Sequence, residues 1–346
     1  MDTTAQNSLP AIAFMIGMGR SGTTLLTNML NSHTHVISTP ENEFILFAQS
    51  HFAGKDFSDE AIVNEFLDIF KYNFHTEPSI WAPGEGLRRD IQAGGYKAFA
   101  DVCKLAYLNY PLAGHKESVQ LIVDKNPIYS LFSKNLHALF PEAKFLVLVR
   151  NYKDNVLSRK KYAYRPSSIF ELGAAWNFYY EQIFEQMAAA GIKPFVVRYE
   201  DLVAGPESTL KKICAYLEID FQPAMLDYKD KAQEMKKHLL DHASGEKFKK
   251  VMEMHGNLDK DVNAARVNAH EKELSAKENA ILDFICYDWA RQFGYAAEKS
   301  KPAGNIAWNL KKAWYAFKMR AYLKKQNWYY GSPLARRLPR LKKTGT

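Results

Sequence analysis

Residues 11–31, AIAFMIGMGRSGTTLLTNMLN, constrain the fold of this chain more than any other stretch. The apolar run at 11–16 predicts a buried β-strand, residues 17–22 form a glycine-bearing turn, and the apolar spacing at 23–31 predicts a helix. A strand, a turn of small residues and a helix in this order aim backbone N–H groups and the positive end of a helix at an anion. We therefore expect this stretch to bind a phosphate-like group.

The turn has the glycine spacing of a phosphate-binding loop without that loop's lysine. Four residues separate Gly17 from Gly22, and Thr23 occupies the position where nucleoside triphosphatases carry the lysine. Arg20 is the only cation in the turn. We interpret the turn as an anion site that handles its ligand differently from a nucleoside triphosphatase.

Four further apolar runs predict the rest of a sheet. They are HVIST at 35–39, QLIVDKNP at 120–127, KFLVLVR at 144–150 and PFVVRYE at 194–200. Segments with helical periodicity separate these runs, and they include a helix expected from about Glu41 and one expected at 128–140. Strands that alternate with helices are typical of a parallel sheet covered by helices on both faces. The sequence therefore predicts an α/β fold in three layers.

In a parallel α/β sheet, ligands collect at the carboxyl ends of the strands. The residues that fall there in this chain are 17–24, Glu41, Lys125, Arg150 and Tyr199. Cations, a carboxylate and a phosphate-shaped loop suit the transfer of an anionic group to a nucleophile that must lose a proton. A phosphoryl transferase would add a loop lysine and a carboxylate for magnesium, and Asp124 is the one Asp that ends a predicted strand.

Four segments resemble the sulfotransferases that use 3′-phosphoadenosine 5′-phosphosulfate (PAPS). They are GRSGTT at 19–24, KNP at 125–127, LVRNYKDNVLS at 148–158 and RYEDL at 198–202. The resemblance covers about residues 11–295, and the position of Glu41 is most similar to the tyrosylprotein sulfotransferase and related bacterial branch. It implies a P-loop-like α/β domain with a parallel sheet of about five strands. It also implies PAPS as co-substrate, no metal, and a hydroxyl acceptor.

The same resemblance implies a role for each site residue. The 5′-phosphosulfate is expected to lie against the loop residues Gly19, Arg20, Ser21, Gly22, Thr23 and Thr24. Arg150 and Ser158 are expected to bind the 3′-phosphate, and Tyr199 to lie near the nucleotide. The implied catalytic residues are Glu41 as the base for the acceptor hydroxyl, Lys125 as the cation that neutralises the bridging oxygen, and Arg20.

Several alternatives stay open at this point. Glu43 lies two residues from Glu41 and is its rival as the base, and His33 and His35 are further bases that we expect to be structural. The glycine-rich lid that such enzymes close over the adenosine has its nearest counterpart at 264–274, which offers basic residues but no glycine. The lid contacts therefore cannot be assigned from the sequence.

Charge is distributed unevenly along the chain. The formal net charge is +8, but residues 301–346 contain twelve Lys and Arg and no acid, so residues 1–300 are net acidic. An acidic body argues against a nucleic-acid-binding core. We divide the chain into an N-terminal extension at 1–10, a sulfotransferase domain at 11–300 and a basic, aromatic tail at 301–346.

The tail contains an amphipathic helical pattern over residues 306–322. Ile306, Leu310, Trp314 and Phe317 fall on one side of this helix, and lysines fall off that side. Such a helix is typical of one that lies on an anionic membrane surface. A terminal helix packed on the domain, with its basic face in solvent, would have the same pattern, and the two interpretations are equally open.

The sequence predicts a cytoplasmic location, peripheral on the inner membrane face if the tail binds lipid. Residues 1–9 lack the basic residues of a secretory signal, no apolar run approaches the roughly 18 residues of a membrane span, and the three cysteines have no disulfide or zinc spacing. The expected reaction is sulfation of a glycan, lipid or small metabolite. A P-loop kinase or nucleotide hydrolase, and a non-catalytic membrane-associated adaptor, are the rival functions.

Overall fold

The computed structural model describes residues 9–72, 81, 84–115, 119–161, 167–242, 266–295 and 304–332. The strands are β1 (Ala11–Gly17), β2 (Val36–Ile37), β3 (Leu121–Lys125), β4 (Lys144–Val149) and β5 (Phe195–Arg198). The helices of the first half are α1 (Thr23–Asn31), α2 (Phe44–Phe52), α3 (Glu60–Tyr72), α4 (Glu85–Gly94), α5 (Phe99–Leu108), α6 (Ser133–Leu139) and α7 (Tyr152–Lys161). Those of the second half are α8 (Ile169–Ala190), α9 (Tyr199–Ala204), α10 (Pro206–Leu217), α11 (Lys229–His242), α12 (His270–Glu273), α13 (Ala276–Gln292) and α14 (Ile306–Gly331).

The five strands form one parallel sheet in the order β2-β3-β1-β4-β5. Met15 of β1 lies opposite Lys125 of β3, and Gly17 lies opposite Leu148 of β4. The carboxyl ends of the three central strands therefore lie side by side, and the residues that follow them share one edge of the sheet. The predicted five-stranded parallel sheet is confirmed.

The two faces of the sheet carry separate hydrophobic cores. Successive residues of a strand point to opposite faces, so that Ile12, Phe14 and Ile16 of β1 belong to one core and Ala13 and Met15 to the other. Helices cover both faces, which gives the predicted three layers. Because β1 is buried on both sides, the loop that follows it rests on a rigid support.

Two helices begin later than their apolar periodicity predicts. The helix expected from about Glu41 starts at Phe44, because the side-chain oxygen of Asn42 accepts a hydrogen bond (2.9 Å) from the Phe44 N–H and so stabilises a turn instead. After β3, Pro127 opens a short 3-10 helix before α6 begins. Glu41 consequently lies in a loop.

The C-terminal segment forms one helix of 26 residues, α14, which packs on the domain. Trp308 contacts Phe170 and Phe284, and at the other end Tyr330 contacts Phe47 and Phe132. Residues 306–331 are therefore helical, and one side of this helix packs on the domain. Within the described residues, no helix combines the length and the apolar character needed to cross a membrane.

Candidate active site

The loop between β1 and α1 has a backbone that depends on its glycines. Gly17 and Gly22 have φ of 146° and 92°. A Cβ on Gly17 would lie 2.3 Å from the Leu148 carbonyl oxygen, and one on Gly22 would lie 2.5 Å from a ring carbon of Tyr199. The loop is therefore packed directly against β4 and against the residue that follows β5.

Arg20, at the tip of this loop, also has a left-handed backbone, with φ of 73°. An arginine in this region of φ costs about 1 kcal/mol or more, and such residues concentrate at functional sites. The conformation is maintained by hydrogen bonds to the loop carbonyls. Arg150 Nη1 donates to the Arg20 oxygen (3.3 Å), and Asn155 Nδ2 donates to the Gly19 oxygen (3.0 Å).

Helix α1 begins at Thr23 and presents its N-terminus at the loop. Gly22 is the residue before the helix, and as a glycine it has no side chain that could cap the helix. The first backbone N–H groups of a helix have no partner within the helix, and together with the helix dipole they attract an anion. Thr23 and Thr24 supply the first two of these groups, as the sequence predicted.

The Ser21 hydroxyl points into the protein. Its oxygen accepts a hydrogen bond from Asn155 Nδ2 (3.1 Å) and lies 3.3 Å from the Tyr180 hydroxyl, which in turn donates to the Leu148 carbonyl (2.9 Å). Ser21 is fully buried. Of this residue, the backbone N–H is therefore the group that is available to a ligand.

Arg150 and Ser158 meet the loop through Arg20. Arg20 Nε donates to the Ser158 hydroxyl (3.3 Å), and Arg150 Nη1 donates to the Arg20 carbonyl. The guanidinium of Arg150 stacks on the Tyr199 ring at 4.6 Å from its centroid. The structure thus brings together four residues that the sequence predicted for the donor site.

Arg150 is buried, and its Nε is without a hydrogen-bond partner among the described residues. Its Nη2 donates to the Arg266 carbonyl (2.7 Å). A buried guanidinium N–H that makes no hydrogen bond carries a desolvation cost of about 1–3 kcal/mol. An anion bound at this position would remove that cost.

The segment that begins at Arg266 belongs to the region 264–274, which the sequence indicated as the nearest counterpart of a lid over the adenosine. Asp154 of α7 accepts hydrogen bonds from the backbone N–H groups of Asn268 (2.8 Å) and His270 (2.9 Å) and contacts His270 Nδ1 (2.8 Å). Burial raises the pKa of Asp154, but the hydrogen bonds and charge of His270, together with the charge of Arg150, hold that pKa below its ordinary value. The segment is therefore tied to the helix that follows Arg150. The first two lid positions, 264–265, lie outside the described residues.

Glu41 and Lys125 form an ion pair at the carboxyl end of β3. The Lys125 side chain is 7% exposed, whereas that of Glu41 is 48% exposed. Lys125 is fixed by the strand, and Glu41 reaches it from the loop before α2. A carboxylate open to solvent beside a buried cation can receive a proton from an incoming hydroxyl group.

Glu43 has a different environment from Glu41. The Tyr330 hydroxyl of α14 donates to Glu43 Oε2 (2.6 Å), and burial together with the Glu43 charge raises the pKa of Tyr330 well above its ordinary value. Glu43 thus supports the packing of the C-terminal helix, while Glu41 contacts Lys125. The two candidate bases are therefore distinguished by their partners, which are Lys125 for Glu41 and Tyr330 for Glu43.

Asp124 points away from solvent beside Lys125. It is buried and accepts a hydrogen bond from the Tyr107 hydroxyl. Burial raises its pKa to about 7, although Tyr107, Tyr129 and Lys125 lower it. Among the residues that the structure describes, no group of three or more His, Cys, Asp and Glu side chains could hold a metal ion.

His33, which was a candidate base, and two lysines of α7 have structural partners. His33 Nε2 lies 3.0 Å from the Asp220 carbonyl oxygen, at the end of α1. On α7, Lys160 pairs with Glu278 (2.7 Å) and Lys161 pairs with Glu273 (2.6 Å). These lysines connect α7 to α13 and α12.

Sequence reasoning missed the residues that support the site from behind. Asn155 lies inside the 148–158 motif, so its position was visible, but its bonds to the loop were not. Tyr180 and Tyr330 gave no signal because neither lies near the loop in sequence, and both act through long-range hydrogen bonds. Asp154 also lies inside that motif, but its role was not predictable because its hydrogen-bond partners lie more than a hundred residues away in the sequence.

Known proteins share parts of this sequence. Nodulation protein NoeE of Sinorhizobium fredii (strain NBRC 101917 / NGR234) is 32% identical over 143 residues, which is 41% of this chain and 29% of that protein. Protein-tyrosine sulfotransferase 1 of Danio rerio is 26% identical over 226 residues, which is 63% of this chain and 56% of that protein. The chain therefore covers less than two thirds of the length of either relative.

The fold is also found in a solved structure. The sulfotransferase domain from the Synechococcus PCC 7002 olefin synthase matches with a TM-score of 0.50 and 20% identity, and the match covers 83% of this chain and 96% of that domain. A model of the sulfotransferase family matches residues 11–223, which include the loop, Glu41, Lys125, Arg150 and Tyr199. The chain belongs to the sulfotransferase family.

Proposed function

We propose that this sulfotransferase moves a sulfuryl group from PAPS to a hydroxyl acceptor, with Glu41 as the general base. The observation that carries the proposal is the convergence of Arg20, Arg150 and Ser158 on the loop before α1. A donor with two separate anionic groups matches this arrangement, because the loop and the arginine cluster offer two adjoining sets of donors.

The described residues fit PAPS on physical grounds. The 5′-phosphosulfate would lie against the backbone N–H groups at the start of α1, where the N-cap residue Gly22 has no side chain to compete for them. The 3′-phosphate would take the buried Nε of Arg150 and the Ser158 hydroxyl. Tyr199, which packs on both Gly22 and Arg150, would lie beside the nucleotide.

In the proposed reaction, PAPS supplies a sulfuryl group on a phosphate leaving group. The acceptor oxygen forms a bond to sulfur as the bond between sulfur and the bridging phosphate oxygen breaks. The hydroxyl proton passes to Glu41, and Lys125 neutralises the charge that grows on the bridging oxygen. The products are a sulfate ester and 3′,5′-adenosine bisphosphate.

The contacts support Glu41 over Glu43 as the base. Glu41 is half-exposed and contacts Lys125 directly, so a proton acceptor and a cation lie side by side. Glu43 accepts a hydrogen bond from Tyr330. Glu43 therefore already has a structural role, since its hydrogen bond ties helix α14 to the domain.

For the acceptor we propose a chemical class, whereas for the donor we propose a specific compound. The name of the Danio rerio relative assigns it to protein tyrosines, and tyrosine presents a hydroxyl group. For this chain we propose a hydroxyl on a glycan, a lipid or a small metabolite. We also propose a cytoplasmic location.

The test is transfer of labelled sulfate from PAPS to a panel of a phenol, an oligosaccharide and an aliphatic alcohol. The wild type is expected to label at least one class and to be stabilised against heat by 3′,5′-adenosine bisphosphate more than by ATP with Mg²⁺. Glu41→Gln is expected to lower kcat by about 10²–10⁴-fold, while the matched Glu43→Gln keeps most of it.

Three results would contradict the proposal. Stronger stabilisation by ATP with Mg²⁺ would favour a kinase or nucleotide hydrolase. A protein that binds no adenosine bisphosphate would favour the non-catalytic adaptor. Full transfer by Glu41→Gln, with the donor bound normally, would remove Glu41 from the mechanism.

A further inference from the structure

Helix α14 carries an exposed apolar surface that the fold does not cover. The large hydrophobic side chains of this surface, between 54% and 82% exposed, are Ile306, Leu310, Trp314, Phe317 and Trp328. Within the described residues, eight large hydrophobic side chains are exposed, and five of them lie on this one helix. Ala313 and Ala321, also exposed, continue the surface between them. We name this set the outer stripe.

The outer stripe faces away from the domain. At 100° per residue, its members fall on one side of the helix, and the residues that pack on the domain fall on nearly the opposite side. The packed side includes Trp308 against Phe170 and Tyr330 against Phe132. Because aromatic contacts fix both ends of the helix, its exposed side is a fixed feature of the surface.

Basic residues flank the outer stripe on both sides. Around the helix, Lys311, Lys318 and Lys325 lie along one edge of the stripe, Arg320 lies along the other, and Lys324 falls at the same angle as Ile306. No acidic residue occurs anywhere in 301–346. An apolar strip between two cationic edges matches a surface that is apolar inside and anionic outside.

We propose that the outer stripe docks the protein on an anionic lipid bilayer. A helix of 26 residues is about 39 Å long, so its full stripe can lie in the plane of the interface. Tryptophan is favoured at this depth, where its ring meets acyl chains and its N–H meets head groups. The lysines and Arg320 would contact the anionic head groups.

A second copy of the chain fits the outer stripe less well. Two stripes placed face to face would bring their cationic edges together, and the helix holds no acid to pair with them. Like charges set against each other across an interface cost several kcal/mol in general. Charge complementarity therefore selects an anionic bilayer over self-association.

The test is co-sedimentation of the full chain with vesicles of phosphatidylcholine containing about a third phosphatidylglycerol, compared with phosphatidylcholine alone. The wild type is expected to bind the anionic vesicles and to lose affinity as salt is raised. Trp314→Glu and Leu310→Glu are each expected to weaken binding by roughly tenfold or more. Gln92→Glu is the matched control, because it changes the net charge equally at an exposed position of α4, and it is expected to retain most of the binding.

All variants alter exposed side chains, and equal thermal unfolding temperatures verify that the domain is intact. Binding of the stripe variants that equals that of the wild type would overturn the proposal. So would a wild type that ignores anionic vesicles but sediments as a dimer that Trp314→Glu dissociates, because the partner would then be a second copy. Neither result depends on sulfate transfer.

Discussion

The two halves of the candidate active site are built in different ways. The donor half consists of the loop before α1, Arg150 and Ser158, which lie in recognisable sequence motifs and contact one another through hydrogen bonds of 3.3 Å. The acceptor half consists of Glu41 and Lys125, next to a segment that Tyr330 reaches from a distance of 287 residues in the chain. The donor half is thus recognisable from its sequence motifs and is centred on the buried Arg150, whereas the acceptor half carries a half-exposed carboxylate and adjoins a segment that the C-terminal helix supports.

This difference predicts that substitutions in one half should leave the other largely intact. Changes on the acceptor side should alter turnover, and changes on the donor side should alter nucleotide affinity. The three predictions that follow concern substitutions at or beside the acceptor half. They are ordered from the largest expected effect to the smallest.

Lys125→Met is expected to lower kcat by about 10²–10³-fold, because it removes the cation that would neutralise the leaving oxygen. Methionine fills a similar volume, and half-exposed Glu41 can be solvated after losing its partner. Steady-state kinetics with saturating PAPS measure the effect. Lys104→Met, which removes a lysine paired with Glu142 at the surface, is the control. A kcat that falls less than about threefold would exclude Lys125 from the chemical step.

Asp124→Asn is expected to change how stability depends on pH. The Asp124 carboxyl has a pKa of about 7 in the folded protein, above the ordinary 3.8 because the side chain is buried. Between these two values the folded state binds more protons than the unfolded state, so this group lowers the free energy of unfolding as pH rises, by on the order of a few kcal/mol in total. Above pH 7 its contribution is constant.

The measurement is urea unfolding of the wild type and Asp124→Asn at several values between pH 4 and pH 8. The variant is expected to gain stability relative to the wild type as pH rises through this range. A difference between the two proteins that does not change with pH would show that Asp124 is not titrating there.

Tyr330→Phe is expected to produce the smallest effect. Loss of the hydrogen bond to Glu43 should lower the free energy of unfolding by about 1–2 kcal/mol and kcat/KM by a few-fold, because the bond anchors the segment next to Glu41. Chemical denaturation and steady-state kinetics measure both quantities. A weaker affinity for adenosine bisphosphate in this variant would contradict the separation, because a change on the acceptor side would then alter donor binding.

The sequence allows much of the donor half to be predicted. The strands, the glycine turn and the basic strand end at Arg150 are local patterns, and local patterns are determined by the chain itself. The support beneath them was not predictable, because Asn155 and Tyr180 act on the loop through contacts of more than 130 residues in sequence separation. The apolar periodicity also placed the start of helix α2 too early. The hydrogen bond of the Asn42 side chain stabilises a turn, so that the helix begins later and Glu41 lies in a loop.

The C-terminal helix shows a further limit of sequence patterns. A helical wheel finds the outer stripe, but the opposite side carries Trp308, Tyr315, Tyr322 and Tyr329, which are also large and aromatic. Hydrophobic character alone does not decide which side faces the domain. Here the side rich in tyrosine is packed, since its hydroxyls find polar partners such as Ser168 for Tyr315 and Glu43 for Tyr330.

The most direct test of the account is the preference of the donor half for a 3′-phosphate. Calorimetric titration of 3′,5′-adenosine bisphosphate and adenosine 5′-phosphate gives the ratio of their Kd values in each protein. The wild type and Glu41→Gln are both expected to bind the bisphosphate at least roughly 30-fold more tightly, and Arg150→Ala should reduce this ratio to about threefold or less, with Ser158→Ala intermediate. A preference that survives Arg150→Ala in a folded protein, or one that disappears in Glu41→Gln, would contradict the assignment of the two halves.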